Sequence, residues 1–286
     1  MNRQKFKQTI PYLILGMATL FFCWFFCGRY GVFGSKVDWI SQHSVLPDYF
    51  RQQFYNTGQL FPEFAANIGG GQNIYNFAYY GLYSPVVLIS YFLPFVKMSD
   101  YMMAAGVISL LAAVLLFYKW LLRRGITSRL SFLTALLFLL SGPMIYHSYN
   151  QIMFVNYMPF LCLAFLGVDR YFEKQKAGLY TISVFLMILT SFYFSIGGMF
   201  ALVLYGIYRY AEGKEKLGEN IKILGFVSDG FRFLLPMLTA VLMSAVLLVP
   251  TAMALAGGRE GGHKTALSAL LIPEIPIFRV VYTPYG

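Results

Sequence analysis

Long runs without a charged side chain constrain this sequence more than any other feature. Five stretches lack Lys, Arg, Asp and Glu altogether: residues 9–28, 101–118, 130–168, 177–208 and 233–258. A membrane-spanning helix needs about 20 apolar residues, so these runs have room for about seven such helices. The chain is 58% hydrophobic and only 12% charged, whereas soluble domains average about 25% charged residues. The sequence therefore predicts an all-α polytopic membrane protein.

The Lys and Arg residues fall in short clusters between the apolar runs, and these clusters predict the topology. The net charge of +10 could suggest a nucleic-acid partner, but the placement of the basic residues between the apolar runs is the positive-inside pattern of membrane proteins, so we do not expect one. The first apolar segment is too long for a signal peptide and no A-x-A cleavage site follows it, which predicts an uncleaved span with a cytoplasmic N-terminus. Seven spans are predicted, at residues 10–28, 100–122, 130–147, 151–168, 179–193, 196–209 and 233–250.

Residues 29–98 are predicted to form one large extracytoplasmic loop. The apolar run at 84–96 has only 13 residues, which is too short to cross a bilayer comfortably. We expect it, and also 39–55, to form juxtamembrane helices at the interface. The apolar residues of 39–55 share one helical face: Trp39, Leu46, Phe50 and Phe54. The chain stops without a closing span, so we expect it to be the N-terminal part of a longer protein.

Asp38 opens this loop in the stretch GSKVDWISQH and has two interpretations. One is the N-cap of a helix beginning at Trp39, which composition alone favours. The other is a carboxylate fixed at the height of the lipid phosphates, able to act as a general base or to hold a divalent metal ion. Capping and catalysis are compatible. Gln42 and His43 follow as supporting candidates, whereas the competing acids Asp48 and Glu63 lie farther along the loop.

A glycine-rich turn followed by tyrosines forms the second polar feature of the loop. Gly69–Gly71 and Asn73 lack the Lys-Ser/Thr of a nucleotide-binding P-loop. We favour a flexible turn leading into an interfacial aromatic belt that includes Tyr79 and Tyr80. The alternative is a loop whose backbone contacts a sugar or phosphate, with the tyrosines as stacking platforms.

The remaining candidates lie in two predicted outer segments. His147, with Asn150 and Gln151, is interpreted as a hydrogen-bonding residue of an outer turn. Arg259 and Lys264 lie either in a solvated glycine-rich loop or in a cationic site for a phosphate leaving group. The cysteines Cys23, Cys27 and Cys162 lie in apolar segments without a metal motif, so we interpret them as small buried side chains. No catalytic-triad, HExxH or nucleotide-binding pattern supports a cytoplasmic nucleotide-dependent enzyme.

Three stretches together resemble a known family: VDWISQH at 37–43, GQLFPEFAANIGGGQNIYNFAYYGLYSP at 58–85, and LSGPMIYHSYNQIMFVNYMPFLCLA at 140–164. A first span followed by an acidic residue that opens a large outer loop is the layout of GT-C glycosyltransferases. In their order and spacing these stretches resemble the YfhO-like family of bacterial membrane proteins. The resemblance implies a GT-C-like helical bundle in the bacterial cell membrane.

The resemblance also implies a function. Such a protein would move a sugar from undecaprenyl phosphate to a cell-envelope polymer, such as a teichoic acid, outside the membrane. Asp38 would be the base or the group that orients the acceptor, acting directly or through a divalent metal ion. Further residues are predicted to contact substrate: Gln42, His43, Asn73, Tyr79, Tyr80, His147, Arg259 and Lys264. The roles of Arg259, Lys264 and His43 in offsetting the phosphate charge are inferred from their position, not from the resemblance.

Two other functions remain open at this stage. An envelope lipid transporter or flippase would place ionisable groups within its spans and interrupt those helices. The predicted spans are almost free of charge, which favours the enzyme. A non-catalytic assembly protein is the third possibility.

Overall fold

The computed structural model describes residues 3–34, 38–60, 64–65, 68 and 71–256, with side chains from residue 9 onward. Eleven α-helices make up most of this part of the chain: α1 Arg3–Tyr30, α2 Val45–Thr57, α3 Pro85–Ile89, α4 Met98–Arg123, α5 Ser128–Leu139, α6 Gly142–Asn150, α7 Ile152–Lys174, α8 Gly178–Thr190, α9 Phe192–Leu217, α10 Ile223–Met243 and α11 Ala245–Ala256. The other elements are a π-helix, Trp39–His43, two 3-10 helices, Ile74–Tyr80 and Ser90–Phe92, and an antiparallel strand pair, β1 Phe64–Ala65 and β2 Gln72–Asn73.

Within the part of the chain that the structure describes, six segments are long and apolar enough to cross a membrane: Thr9–Tyr30, Met98–Arg123, Ser128–Asn150, Ile152–Lys174, Phe192–Leu217 and Ile223–Met243. The predicted all-α, multi-pass class is therefore confirmed. A further apolar helix, α8, has only 13 residues, about 20 Å at 1.5 Å per residue. It fills the place of the predicted span at 179–193.

Serine residues lie at three of the helix breaks in the described part of the chain. The chain leaves helical geometry at Ser141, between α5 and α6, and at Ser191, between α8 and α9; both have extended backbone angles. A third break at Ser244 divides the predicted span 233–250 between α10 and α11. The hydroxyls of Ser141 and Ser244 donate to the carbonyls of Phe138 and Ala240, each at 2.8 Å. Such local bonds compete with the backbone hydrogen bonds of the helix, and a hydropathy profile does not reveal them.

Helix α7 is the centre of the bundle and packs against α4, α8 and α9. Small residues permit this close packing. A Cβ on Gly167 of α7 would lie 2.7 Å from backbone atoms of Tyr180 on α8. The two helices therefore approach nearly backbone to backbone, as small residues allow between helices in membranes.

Side-chain contacts define two ends of the bundle. At one end, which we call the loop end, the Tyr30 ring at the end of α1 packs on Tyr149 of α6. The Tyr101 hydroxyl at the start of α4 donates to the Val86 carbonyl there. At the opposite end, which we call the basic end, Arg123 of α4 pairs with Glu173 of α7. The assignment of the loop end to the outside is a prediction from the charge clusters.

The loop has a small apolar core of its own over the loop end. Its buried members come from α2, the strand pair, the residues around the first 3-10 helix and α11: Leu46, Phe50, Ala65, Ile74, Ala78, Leu82, Tyr83 and Leu247. Trp39, Leu46 and Phe50 are buried on the face predicted for residues 39–55, although that segment is a π-helix followed by α2. Residues 84–96 contain only α3 and the short 3-10 helix Ser90–Phe92.

Candidate functional site

The π-helix brings Asp38 and His43 to the same side of one wide turn. The backbone N–H groups of Gln42 and His43 both donate to the Asp38 carbonyl, at 2.8 and 2.9 Å. Within the described residues, the Asp38 carboxylate makes no capping hydrogen bond to this helix, so the predicted side-chain cap is wrong. The physical reason is the backbone: Asp38 has φ −99° and ψ 5°, not the extended conformation typical of an N-cap residue.

His43 is a buried imidazole beside that carboxylate. Its side chain is 1% exposed, and its Nδ1 has no hydrogen-bond partner among the residues that the structure describes. Burial lowers the pKa of His43 to about 4, and the nearby Asp38 charge offsets only part of that effect. The imidazole is therefore neutral near pH 7, with one buried nitrogen available for a hydrogen bond.

Two tyrosines connect this turn to the rest of the loop end. The Tyr80 hydroxyl donates to Oε1 of Gln42. The neighbouring Tyr79 hydroxyl donates to Oε1 of Gln151, at 2.6 Å. Burial raises the pKa of Tyr79, so this hydroxyl stays protonated and serves as a donor. We call Asp38, Gln42, His43, Tyr79, Tyr80 and Gln151 the loop-end cluster.

His147 lies close to this cluster but in an aromatic environment. Its ring centroid is 4.2 Å from that of Phe154 and 5.2 Å from that of Phe194. Its carbonyl accepts from the backbone N–H of Gln151 at 2.8 Å. Its link to the loop-end cluster therefore passes through Gln151, which the sequence suggested only as a member of an outer turn.

Asn73 is separate from the cluster. Its side chain is exposed, and its Oδ1 accepts from the N–H of Tyr75 at 2.9 Å, capping the first 3-10 helix. A role as a substrate ligand would compete with this cap. The candidates Arg259 and Lys264 lie outside the described residues, as does the competing acid Glu63.

A second polar group, at the basic end, was missed from the sequence. Asp169 is fully buried and accepts from the Tyr205 hydroxyl at 2.6 Å. Nε of Arg209 lies 3.2 Å from its Oδ1 and Nη1 of Arg124 lies 3.8 Å away, as ion-pair contacts. Both arginines also pair with Glu212, at 3.0 and 2.6 Å. This buried ion network therefore connects α4, α7 and α9.

Comparison with known proteins now identifies the family. The family model described as "Bacterial membrane protein YfhO" matches residues 9–280. The chain belongs to the YfhO family. No curated protein and no solved structure matches it. The family predicted from the three sequence stretches is thereby confirmed.

A divalent metal ion at Asp38 remains a prediction for this YfhO-family protein. Within the part of the chain that the structure describes, no group of three or more His, Cys, Asp or Glu side chains could hold a metal ion. Asp38 and His43 together supply one carboxylate and one imidazole, whereas divalent cations in proteins usually take more ligands than two. We therefore assign the chemistry of this site to its side chains, without a metal ion.

The buried His43 predicts a specific dependence of stability on pH for this YfhO protein. A histidine whose pKa falls from 6.5 to about 4 on folding binds its proton more readily when unfolded, so stability falls as pH decreases from 6.5 toward 4. One pKa unit corresponds to about 1.4 kcal/mol, so we expect the free energy of unfolding to fall by at most about 3 kcal/mol between pH 6.5 and 4. Unfolding in detergent at several pH values would measure it.

His43→Gln is the matched variant for this measurement, because glutamine stays neutral over the whole range. Carboxylates titrate in both proteins near pH 4, so the quantity of interest is the difference between the two curves. We expect wild type to lose more stability than the variant between pH 6.5 and 4. Parallel curves would contradict the assignment of His43 as a buried neutral imidazole.

Proposed function

We propose that this protein is a membrane glycosyltransferase that moves a sugar from a polyprenyl-phosphate carrier to a cell-envelope polymer of the teichoic-acid type, outside the membrane. The observation that carries the proposal is the position of Asp38 in the same π-helix turn as the buried, neutral His43 at the loop end. The half-buried carboxylate lies in the loop that follows the first spanning helix, close to where lipid headgroups end and a polymer in water begins. Membership of the YfhO family is compatible with this activity.

The reaction needs one base and one leaving group. An acceptor hydroxyl attacks the anomeric carbon of the sugar, and its proton passes to the Asp38 carboxylate. The bond from that carbon to the phosphate oxygen breaks, and polyprenyl phosphate departs with the electron pair. A positioned base is effective when its geometry is fixed, and the bonds of the π-helix turn fix the backbone of Asp38.

The other candidates act around this centre. Gln42 and Tyr80 are bonded to each other beside His43, and can orient the sugar through their remaining hydrogen-bonding capacity. Tyr79 attaches the loop to the junction of α6 and α7 through Gln151. Arg259 and Lys264 are proposed to offset the charge of the departing phosphate, while Asn73 and His147 have weaker claims to contact substrate.

A lipid flippase is the second candidate, and two observations favour it. Transporters of this kind interrupt their helices and bury ionisable groups within them, and this chain has helix breaks at Ser191 and Ser244 and a buried Asp169. Against it, Asp169 is matched by two arginines at one end of the bundle. The Ser191 break lies beside Tyr79, whose ring contacts Phe192, and so belongs to the loop end.

A reconstituted assay separates the two functions. The purified chain is placed in liposomes with a radiolabelled sugar on polyprenyl phosphate, and a polyol-phosphate polymer is supplied outside. We expect label to appear on the polymer. If labelled lipid instead reaches the opposite leaflet with its sugar intact, the flippase is correct. Empty liposomes and heat-unfolded protein control for leakage and chemical transfer.

A further inference from the structure

A cavity of about 480 Å³ opens between α2 and the start of α4, beside the loop-end cluster. Its polar lining includes Ser44, Asp48, Arg51, Gln52 and Lys97, and Phe95 forms part of its wall. Ser44 directly follows His43 in the chain, so the cavity adjoins the turn that carries Asp38. None of the roles proposed above uses it.

The Arg51 side chain forms the floor of this cavity and connects α2 to the segment before α4. The side chain is buried, and Nη1 donates to the carbonyls of Leu93 and Val96, at 3.2 and 2.9 Å. Its Nη2 donates to Oδ1 of Asp48 at 2.8 Å, and the other Asp48 oxygen accepts from Gln52 at 2.7 Å. The negative charge of Asp48 is therefore matched within the floor.

Lys97 provides the excess charge of the cavity. It is exposed, and it forms no ion pair among the described residues. With Asp48 matched by Arg51, the lining has a net positive charge of one. Lys97 also precedes the first residue of α4, whose initial N–H groups lack acceptors within the helix and add positive potential.

The height of the cavity relative to the membrane limits what can fill it. Lys97 lies immediately before the spanning segment that begins at Met98, which is the level of the lipid headgroups. Phe92 and Phe95 are 83% and 81% exposed, and aromatic side chains at this level are typical of the membrane interface. Val45, half exposed, lines the same cavity. The cavity thus combines a cation that has no ion pair within the described residues with an apolar edge.

We propose that this cavity binds the phosphate headgroup of a membrane lipid, with Lys97 contacting the phosphate and with Val45 and Phe95 against the first carbons of the lipid chain. That the lipid is the polyprenyl-phosphate carrier rests on the proposed function. The position of Ser44 next to His43 would then bring the phosphate close to the loop-end cluster. This site uses only described residues, unlike Arg259 and Lys264.

The test compares two exposed cations of the loop end. The purified chain in nanodiscs of phosphatidylcholine is titrated with radiolabelled undecaprenyl phosphate. Lys97→Gln removes the cation of the cavity, whereas Arg29→Gln removes an exposed cation at the end of α1 that does not line it. We expect Lys97→Gln to weaken binding about 10-fold, as for loss of a hydrogen bond to a charged group. Arg29→Gln should weaken binding much less, because a cation outside the cavity acts on the phosphate only through a potential that salt screens.

Further ligands identify what the site recognises. Undecaprenol, which lacks the phosphate, should bind wild type and Lys97→Gln equally. If inorganic phosphate alone displaces the labelled lipid, the site does not recognise a lipid and the proposal is overturned. If phosphatidylglycerol competes as strongly as undecaprenyl phosphate, the site binds lipid headgroups in general, which contradicts its assignment to the carrier. Equal losses in the two variants, or none in Lys97→Gln, would overturn the proposal.

The outcome is distinguishable from failure of the proposed function. Binding that depends on Lys97 in a protein without transfer activity would leave the site standing and remove the function. If wild type transfers the sugar but Lys97→Gln binds the lipid as tightly as wild type, the proposed function stands and the lipid site is removed.

Discussion

Asp38→Asn should reduce sugar transfer by about 100- to 10,000-fold, the contribution typical of a positioned general base. Asparagine has nearly the same shape but cannot take the acceptor proton. The variant should insert and fold, because the backbone bonds from Gln42 and His43 to the Asp38 carbonyl are kept. Initial rates in the liposome assay, with unfolding in detergent alongside, would measure both effects.

Asp100→Asn is the matched control for this variant. Asp100 is an exposed acid in the first turn of α4, at the same end of the bundle, and does not line the loop-end cluster. We expect its rate to match that of wild type. Near-normal transfer by folded Asp38→Asn protein would remove Asp38 from the reaction.

Asp169→Ala should lower the free energy of unfolding by about 3–5 kcal/mol, the usual cost of removing one partner from a buried ion pair. The substitution leaves Arg209, itself buried, with Glu212 as its remaining partner at 3.0 Å. It also leaves the Tyr205 hydroxyl without the acceptor it reaches at 2.6 Å. Reversible unfolding in mixed detergent would measure the loss.

Glu173→Ala tests whether burial is the cause. Glu173 also pairs with an arginine, Arg123, at 2.5 Å, but the two side chains are 37% and 38% exposed. Exposed pairs contribute about 0–1 kcal/mol, so this variant should unfold much like wild type. Similar losses in the two variants would show that the buried network is not what stabilises the basic end.

The sequence predicted the all-α, multi-pass class because charge-free length is a local property. It did not locate the helix breaks at Ser141 and Ser244, since one hydroxyl changes hydropathy little while offering the backbone another partner. The break at Ser191 lies close to the predicted boundary between the spans 179–193 and 196–209. Asp169 was missed for a related reason. The predicted span ended at residue 168, but α7 continues to Lys174 because partners on α4 and α9 satisfy the carboxylate.

The candidate site was predictable only where its residues are close in sequence. Asp38, Gln42 and His43 were selected together, and one π-helix turn does bring them together. The cap was wrong because no propensity rule indicates a π-type opening there. The bonds of Tyr79 and Tyr80, and the role of Arg51 as a cavity floor, depend on contacts between distant segments that one sequence does not reveal.

The Tyr79–Gln151 bond has a consequence for the order in which the protein is made. The two residues are 72 positions apart, and ribosomes add about 5–20 residues per second, so Tyr79 waits about 4–14 s before its acceptor exists. The Phe192 ring on which Tyr79 packs is made later still. The loop therefore completes its contacts only after several membrane helices have been synthesised.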